Sequence, residues 1–314
     1  METRIKINER LLSSPYVMPP MATEDTATGE VTGGMIAYYE KMVKNPNFGL
    51  FILEHAFVEE WGKASPKQLS LAKDVHVEGH KKLVEAMKRI RPDAQYFLQL
   101  NHAGIKTRRE YTGADPIAVA KRPWDKVSRL MTADDFSRIK EAFAAAALRA
   151  KKGGYDGVEL HVAHGYLLNQ FLSPLTNFRD DDYGKDRVKY PLEVFGAIKK
   201  AVGDYPIAVR IGGIETIAGG TTIEEGVEAA LRFEEAGACL LDMTGGMTGY
   251  VRGGHDEPGW FGDLSAAVKE KARVPVMVTG GVKTKEEADT LLKDNKADLI
   301  GIGRAFLQNP DWGK

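Results

Sequence analysis

The sequence is poor in the residues that would tie it to metal clusters, membranes or nucleic acid. It contains one cysteine, Cys239, among 314 residues. A single thiol closes no disulfide within the chain and furnishes neither a cysteine-rich zinc site nor an iron–sulfur cluster. Charge of neither sign prevails, because 43 Lys and Arg face 44 Asp and Glu, leaving −1. That balance removes the basic field expected of a nucleic-acid binder. No run approaches the ~18 consecutive apolar residues of a membrane-spanning helix. The stretch from Met1 to Arg10 is charged throughout and lacks the apolar segment of an export signal. A cytoplasmic protein is therefore expected. Several chemical signatures are missing as well: G-x-G-x-x-G, G-x-S-x-G and H-E-x-x-H. No lysine stands at the end of a predicted strand, which argues against a Schiff-base aldolase.

Glycine, by contrast, is abundant at 33 residues, about one in ten against ~7% in typical chains. Eight short apolar runs predict strands: Tyr16 to Met18, Gly49 to Leu53, Gln95 to Leu100, Gly157 to His161, Ile207 to Ile211, Cys239 to Met243, Val274 to Val278 and Leu299 to Ile302. They are too uniformly apolar to be half-exposed and read as buried parallel strands. Helical patterns alternate with them, over Met35 to Val43, Asp74 to Ile90, Asp134 to Lys151, Leu192 to Val202, Glu224 to Ala236 and Lys285 to Leu292. Ser65-Pro66-Lys67-Gln68, Thr222-Ile223-Glu224-Glu225 and Thr284-Lys285-Glu286-Glu287 fit a hydroxyl N-cap with Glu or Gln three residues later. Eight alternations suit a doubly wound sheet or a closed barrel. The missing dinucleotide fingerprint, together with glycines at the ends of the last strands, favours the barrel. The expected fold is α/β, a single (β/α)8 barrel over residues 1–314. The excess spacing after the second, third and fourth strands predicts long loops there, where barrels place substrate contacts.

Three clusters carry chemistry. The fourth strand ends in His161, His164 and Tyr166. These residues read as hydrogen-bonded core histidines, as metal ligands at His-x-x-His spacing, or as two imidazole donors aimed at one oxygen with a phenol as proton source. Gly280-Gly281 follows the seventh strand, and Gly303-Arg304 the eighth. Bare backbone amides and an arginine at those two positions suit a phosphate. Gln99 and Arg210 interrupt apolar strands. They require either neighbouring carboxylates or a polar heterocycle in the barrel mouth. Cys239, in an apolar run, reads as a core thiol.

The stretch from Gly154 through Glu159, His161, His164, Gly165 and Tyr166 to Ser173-Pro174, followed by Asn177, Arg179 and Asp182-Tyr183-Gly184, resembles the signature of the Old Yellow Enzyme family. Met18-Pro19-Pro20-Met21, Gln99-Leu100-Asn101-His102-Ala103-Gly104 and Gly301-Ile302-Gly303-Arg304 extend the match over nearly the whole chain. That resemblance implies an FMN-dependent ene-reductase with NADH or NADPH as co-substrate. Hydride would pass to FMN, and then to an activated alkene entering the same site. It implies that His161 and His164 bind the substrate oxygen, that Tyr166 protonates Cα, and that Gln99 and Arg210 contact the flavin ring. Pro20, Met21, Ala22 and His55 would lie beside that ring, and Gly280, Gly281, Gly303 and Arg304 would hold its phosphate. Alternatives from other classes are a metal-dependent barrel hydrolase or lyase built on His161 and His164, and a flavin-binding barrel without catalysis. No metal, nucleic-acid or membrane partner is expected, and self-association into a homo-oligomer is left open.

The sequence departs from the family pattern at several positions. Ala22 stands where Thr or Cys is common, and His55 where a small residue is usual. Ile105 replaces the usual Arg after Gly104, and Lys185-Asp186-Arg187 shortens the run after Tyr183-Gly184. The lone cysteine and the ending at Lys314 lead to the expectation that the four-cysteine cluster of larger relatives is absent.

Overall fold

The structure is a computed structural model of the chain and describes residues 5–7, 9–121 and 125–314. Eight strands form its centre: β1 (Tyr16–Met18), β2 (Phe48–Phe57), β3 (Gln95–Asn101), β4 (Gly157–Val162), β5 (Ile207–Ile214), β6 (Leu240–Gly245), β7 (Val276–Thr279) and β8 (Leu299–Gly301). They close into one parallel barrel in which each strand pairs with its sequence neighbours and β8 pairs with β1. Helices α1 (Gly33–Met42), α2 (Val77–Ile90), α3 (Ala133–Lys152), α4 (Lys189–Val202), α5 (Ile223–Glu235), α6 (Gly262–Lys269), α7 (Lys285–Lys293) and α8 (Arg304–Gln308) follow the strands in turn. This is the (β/α)8 barrel expected from the sequence.

Both faces of each strand are buried, so inward and outward residues differ by partner rather than by polarity. On β4, Val158, Leu160 and Val162 join the outer core beneath the helices. The alternate positions Gly157, Glu159 and His161 face the barrel axis. Around the axis the interior splits into two layers. At the strand starts Val17, Leu50, Ile52, Phe97, Ala208, Leu240, Met277 and Leu299 form an apolar cluster. Ile5, Ile7 and Leu12, on and beside the paired segments Lys6–Ile7 and Arg10–Leu11, belong to that cluster and cover its foot. Gly157 is bare because a Cβ there would lie 2.4 Å from the Phe97 ring that fills this layer. Two residues further along the strands come Gln99, Glu159, Arg210 and Asp242, all buried and all polar.

Thr222 and Thr284 cap α5 and α7, and Glu225 and Glu287 reciprocate as capping boxes. Ser65 to Gln68 is different and starts no helix. The buried Gln68 carboxamide accepts from the Ala64 amide at 2.6 Å and donates to the His55 carbonyl at 3.2 Å, tying this turn to β2. Strand ends also differ from expectation. β2 runs on through Glu54 and His55 to Phe57, β5 runs to Ile214, and β6 and β7 begin at Leu240 and Val276. The long loops after β2, β3 and β4 are present. A further long loop, residues 246–261, follows β6 where the spacing gave no signal. Within the loop after β3, residues 122–124 lie outside the described residues. Among the described residues no helix is long and apolar enough to cross a membrane.

Candidate active site

Polar side chains gather where β4 leaves the barrel. His161 is the last inward residue of β4. The chain then turns through His164, whose φ of 58° is left-handed, and Gly165 at 71°. This turn brings three rings together. The His161 and His164 centroids are 5.0 Å apart, and Tyr166 lies 5.2 Å from His161. His55, on β2, joins them at 5.6 Å from Tyr166 and 6.5 Å from His161. Asn101 Nδ2 stands 3.2 Å from His55 Nδ1. With the amide nitrogen as donor, this contact pairs with the His55 tautomer protonated on Nε2.

Burial pushes both His161 and His164 well below the ordinary histidine range, and the Arg210 charge acts in the same direction on each. Both are therefore neutral near pH 7 and each offers one N–H. Nε2 of His164 is engaged by the Thr244 hydroxyl of β6 at 3.1 Å, which leaves Nδ1 for a ligand. Nδ1 of His161 is buried without a partner. Burial raises Tyr166 above the usual tyrosine value, so it remains a phenol. Among the described residues no third His, Cys, Asp or Glu completes a metal-binding group with the two histidines.

Beneath these rings lies the polar layer. Gln99 Nε2 donates to Glu159 Oε2 at 2.7 Å, and Arg210 Nε lies 3.1 Å from Asp242 Oδ2. The carboxylates that Gln99 and Arg210 required are thus Glu159 and Asp242. Even so, Arg210 Nε and Asp242 Oδ2 meet as an ion pair without hydrogen-bond geometry, and Glu159 Oε1 and Asp242 Oδ1 lack hydrogen-bond partners, as do Asn101 Oδ1 and Thr279 Oγ1 nearer the mouth. Native interiors rarely leave so many polar atoms unpaired in one place.

Gly280, Gly281 and Arg304 come together around one further residue, Trp260 from the loop after β6. A Cβ on Gly281 would lie 2.6 Å from the indole Nε1, and the Arg304 guanidinium stands 4.9 Å over the indole ring. That Nε1–H is buried without an acceptor. Gly303 sits beside the Met21 sulfur, 3.4 Å from where its Cβ would be, which joins the β8 and β1 loops. Pro20 and Met21 are half-buried, and Ala22 is exposed. Cys239 lies just before β6, and burial pushes its thiol up to about 12, as suits an inert core residue.

Besides Asp242, four contributors escaped the sequence reading. Lys106, in the turn after β3, reaches the site and donates to the His164 carbonyl at 2.5 Å, with its ammonium 5.5 Å from the Tyr166 ring. Thr244 and Trp260 carry no local signal. Glu159 was readable only as an inward position, two residues before His161.

Comparison with known proteins identifies the family. Residues 3–314 match the model of the NADH:flavin oxidoreductase / NADH oxidase family. An NADH oxidase of Thermoanaerobacter brockii is 36% identical over 98% of this chain, which spans only 49% of that relative's length. An NADPH dehydrogenase of Bacillus cytotoxicus is 33% identical over 98% of this chain and 87% of its own. Among solved structures, a 2-naphthoyl-CoA reductase in complex with 2-naphthoyl-CoA shares the fold, with a TM-score of 0.90 at 24% identity over 98% of this chain and 50% of that one. The chain belongs to the NADH:flavin oxidoreductase / NADH oxidase family.

Proposed function

We propose that the chain is an FMN-dependent oxidoreductase that accepts hydride from NADH or NADPH and delivers it to a C=C bond conjugated to a carbonyl or nitro group, the two substrates using one site in turn. The observation that carries this reading is the convergence of His161, His164 and Tyr166 above a buried layer of unpaired polar atoms. Those orphaned atoms fit a polar heterocycle, and the bare Gly280-Gly281 backbone beside Arg304 fits a phosphate. FMN, when bound, supplies the hydride-transfer chemistry.

The protein's own groups supply the rest. Gln99 and Arg210 would hold the ring's polar edge, with Pro20, Met21, Ala22 and His55 around it. Gly280, Gly281, Gly303 and Arg304 would hold the phosphate. Two neutral imidazoles donate to the substrate oxygen, where negative charge develops as hydride reaches Cβ. Tyr166 then gives its phenolic proton to Cα. His55 narrows the pocket and adds a third N–H to it. Lys106 keeps a cation beside Tyr166, which favours loss of the phenolic proton.

The test is spectroscopic. Purified protein should show visible flavin absorption that NADH or NADPH bleaches under anaerobic conditions, and 2-cyclohexenone or a maleimide should restore it. A colourless protein with stoichiometric zinc would favour the hydrolase reading. Flavin that bleaches but is restored by no activated alkene would remove the ene-reductase assignment.

A further inference from the structure

The polar layer holds more acid than base. Glu159 and Asp242 are each 0% exposed, and Arg210 is the guanidinium that faces them. The side chains around Glu159 are Gln99 from β3, His161 from its own strand, Arg210 from β5 and Asp242 from β6, with the Cys239 thiol also within electrostatic reach. Gln99 is neutral, burial keeps His161 neutral, and the thiol is protonated. Two ionised carboxylates and one guanidinium would therefore leave a net −1 in a buried layer covered below by the apolar cluster. An unbalanced charge there is costly, and retaining a proton removes it. Geometry decides where that proton sits. Asp242 has the guanidinium at 3.1 Å, whereas Glu159 has only a carboxamide.

We propose that Glu159 is kept as a neutral carboxylic acid, that this makes the layer of Gln99, Glu159, Arg210 and Asp242 electrically neutral, and that Glu159 thereby acts as a positioning residue setting the potential of a flavin ring bound against Arg210. Burial, and next the Asp242 charge, raise its pKa, against the opposing pull of Arg210 and Gln99. The inference rests on the FMN reading. A hydride delivered to a ring held there would add one negative charge and would take no proton from the layer. A neutral layer leaves the field of Arg210 available to that charge, whereas an ionised Glu159 opposes it. Reduction therefore strengthens proton binding at Glu159. At alkaline pH, one extra proton is taken from solvent per hydride.

Glu159→Gln keeps the shape and removes the titration. The first measurement uses apoprotein melts of both proteins from about pH 5 to about pH 9. With the folded pKa raised above the unfolded one, stability is lost as pH rises through the folded value. The variant's Tm should gain steadily on the wild type with rising pH. The second is the flavin midpoint potential against pH, whose slope should steepen on the alkaline side in the wild type and stay constant in Glu159→Gln. Asp242→Asn, which frees Arg210 to pair with Glu159, should move that break to lower pH, and it serves if Glu159→Gln does not fold. Melts with a constant Tm offset at every pH, or potential slopes and breaks identical in all three proteins, would overturn the proposal. If no flavin binds, the FMN reading fails while the melts still decide where the proton resides.

Discussion

The Thr244 hydroxyl stands 3.1 Å from Nε2 of His164 and so joins β6 to the turn after β4. That turn is held in a left-handed conformation at His164, an uncommon state for a residue with a Cβ. The hydroxyl fixes the ring of a residue whose backbone is already constrained, and it leaves Nδ1 as the nitrogen available to a ligand. Thr244→Val removes this one contact with little change of volume. A net hydrogen bond contributes ~0.5–1.5 kcal/mol, so KM for 2-cyclohexenone should rise about twofold to tenfold. An unchanged KM would show that His164 is oriented by something else.

Tyr166→Phe keeps the ring beside His161 and His55 and deletes the proton source. In anaerobic rapid mixing the alkene half-reaction should slow by about 10²–10⁴, the usual worth of a positioned acid. Flavin reduction by NADH or NADPH should be spared. Equal slowing of both half-reactions would refute the proton-donor role.

Gly281→Ala tests the phosphate cup. The residue has φ +70°, and its new Cβ would press on the Trp260 indole at 2.6 Å. The left-handed backbone alone costs ~1–2 kcal/mol in a residue with a Cβ, and the indole must move as well. The variant is expected to fold with a lowered Tm and to lose FMN on gel filtration. Full flavin retention would place the phosphate elsewhere.

Buried histidines make acid stability readable. His80 contacts the Tyr155 hydroxyl at 2.8 Å and the Ser70 carbonyl at 3.0 Å, and burial pushes its pKa down to about 4. Because the folded value is depressed, its contribution is present above the unfolded value of ~6.5 and is lost as pH falls through the folded one. Relative to His80→Gln, the wild type should lose about 3 kcal/mol between neutral pH and pH ~4. The comparison isolates His80 from Glu54, Glu159 and Asp242, whose raised values act in the opposite direction. Urea titrations at several pH values read the gap between the two proteins. A gap independent of pH would contradict the burial argument.

The strands were legible because a parallel barrel buries both faces of each one. Runs such as Ile207 to Ile211 stand out against the amphipathic helices between them. His161, His164 and Tyr166 stood out for the converse reason, since three such groups at one strand end are poorly explained by packing, and the structure brings their rings together. Glu159 lies in the same motif, yet its partners Gln99 and Asp242 come from strands 60 and 83 positions away, and only the register brings them together. Trp260 and Lys106 were invisible because long loops set their positions and no periodicity constrains a loop. Ser65 to Gln68 misled for a physical reason. A hydroxyl followed three residues later by an amide satisfies a cap pattern equally well when the amide is recruited by a neighbouring strand. The run from Lys185 to Arg187, shortened relative to the family pattern, is pinned to α5 by ion pairs from Asp186 to Arg232 and from Arg187 to Glu225.

The segments Lys6–Ile7 and Arg10–Leu11 give the barrel a closed bottom. Among the described residues the interior is therefore a vessel covered at that end, and its mouth is where the ring would sit. A ring seated there would stopper the vessel. Protons would then exchange at Glu159 through transient loosening of that stopper, so hydrogen exchange at this depth should be slower in the flavin-bound protein than in the apoprotein.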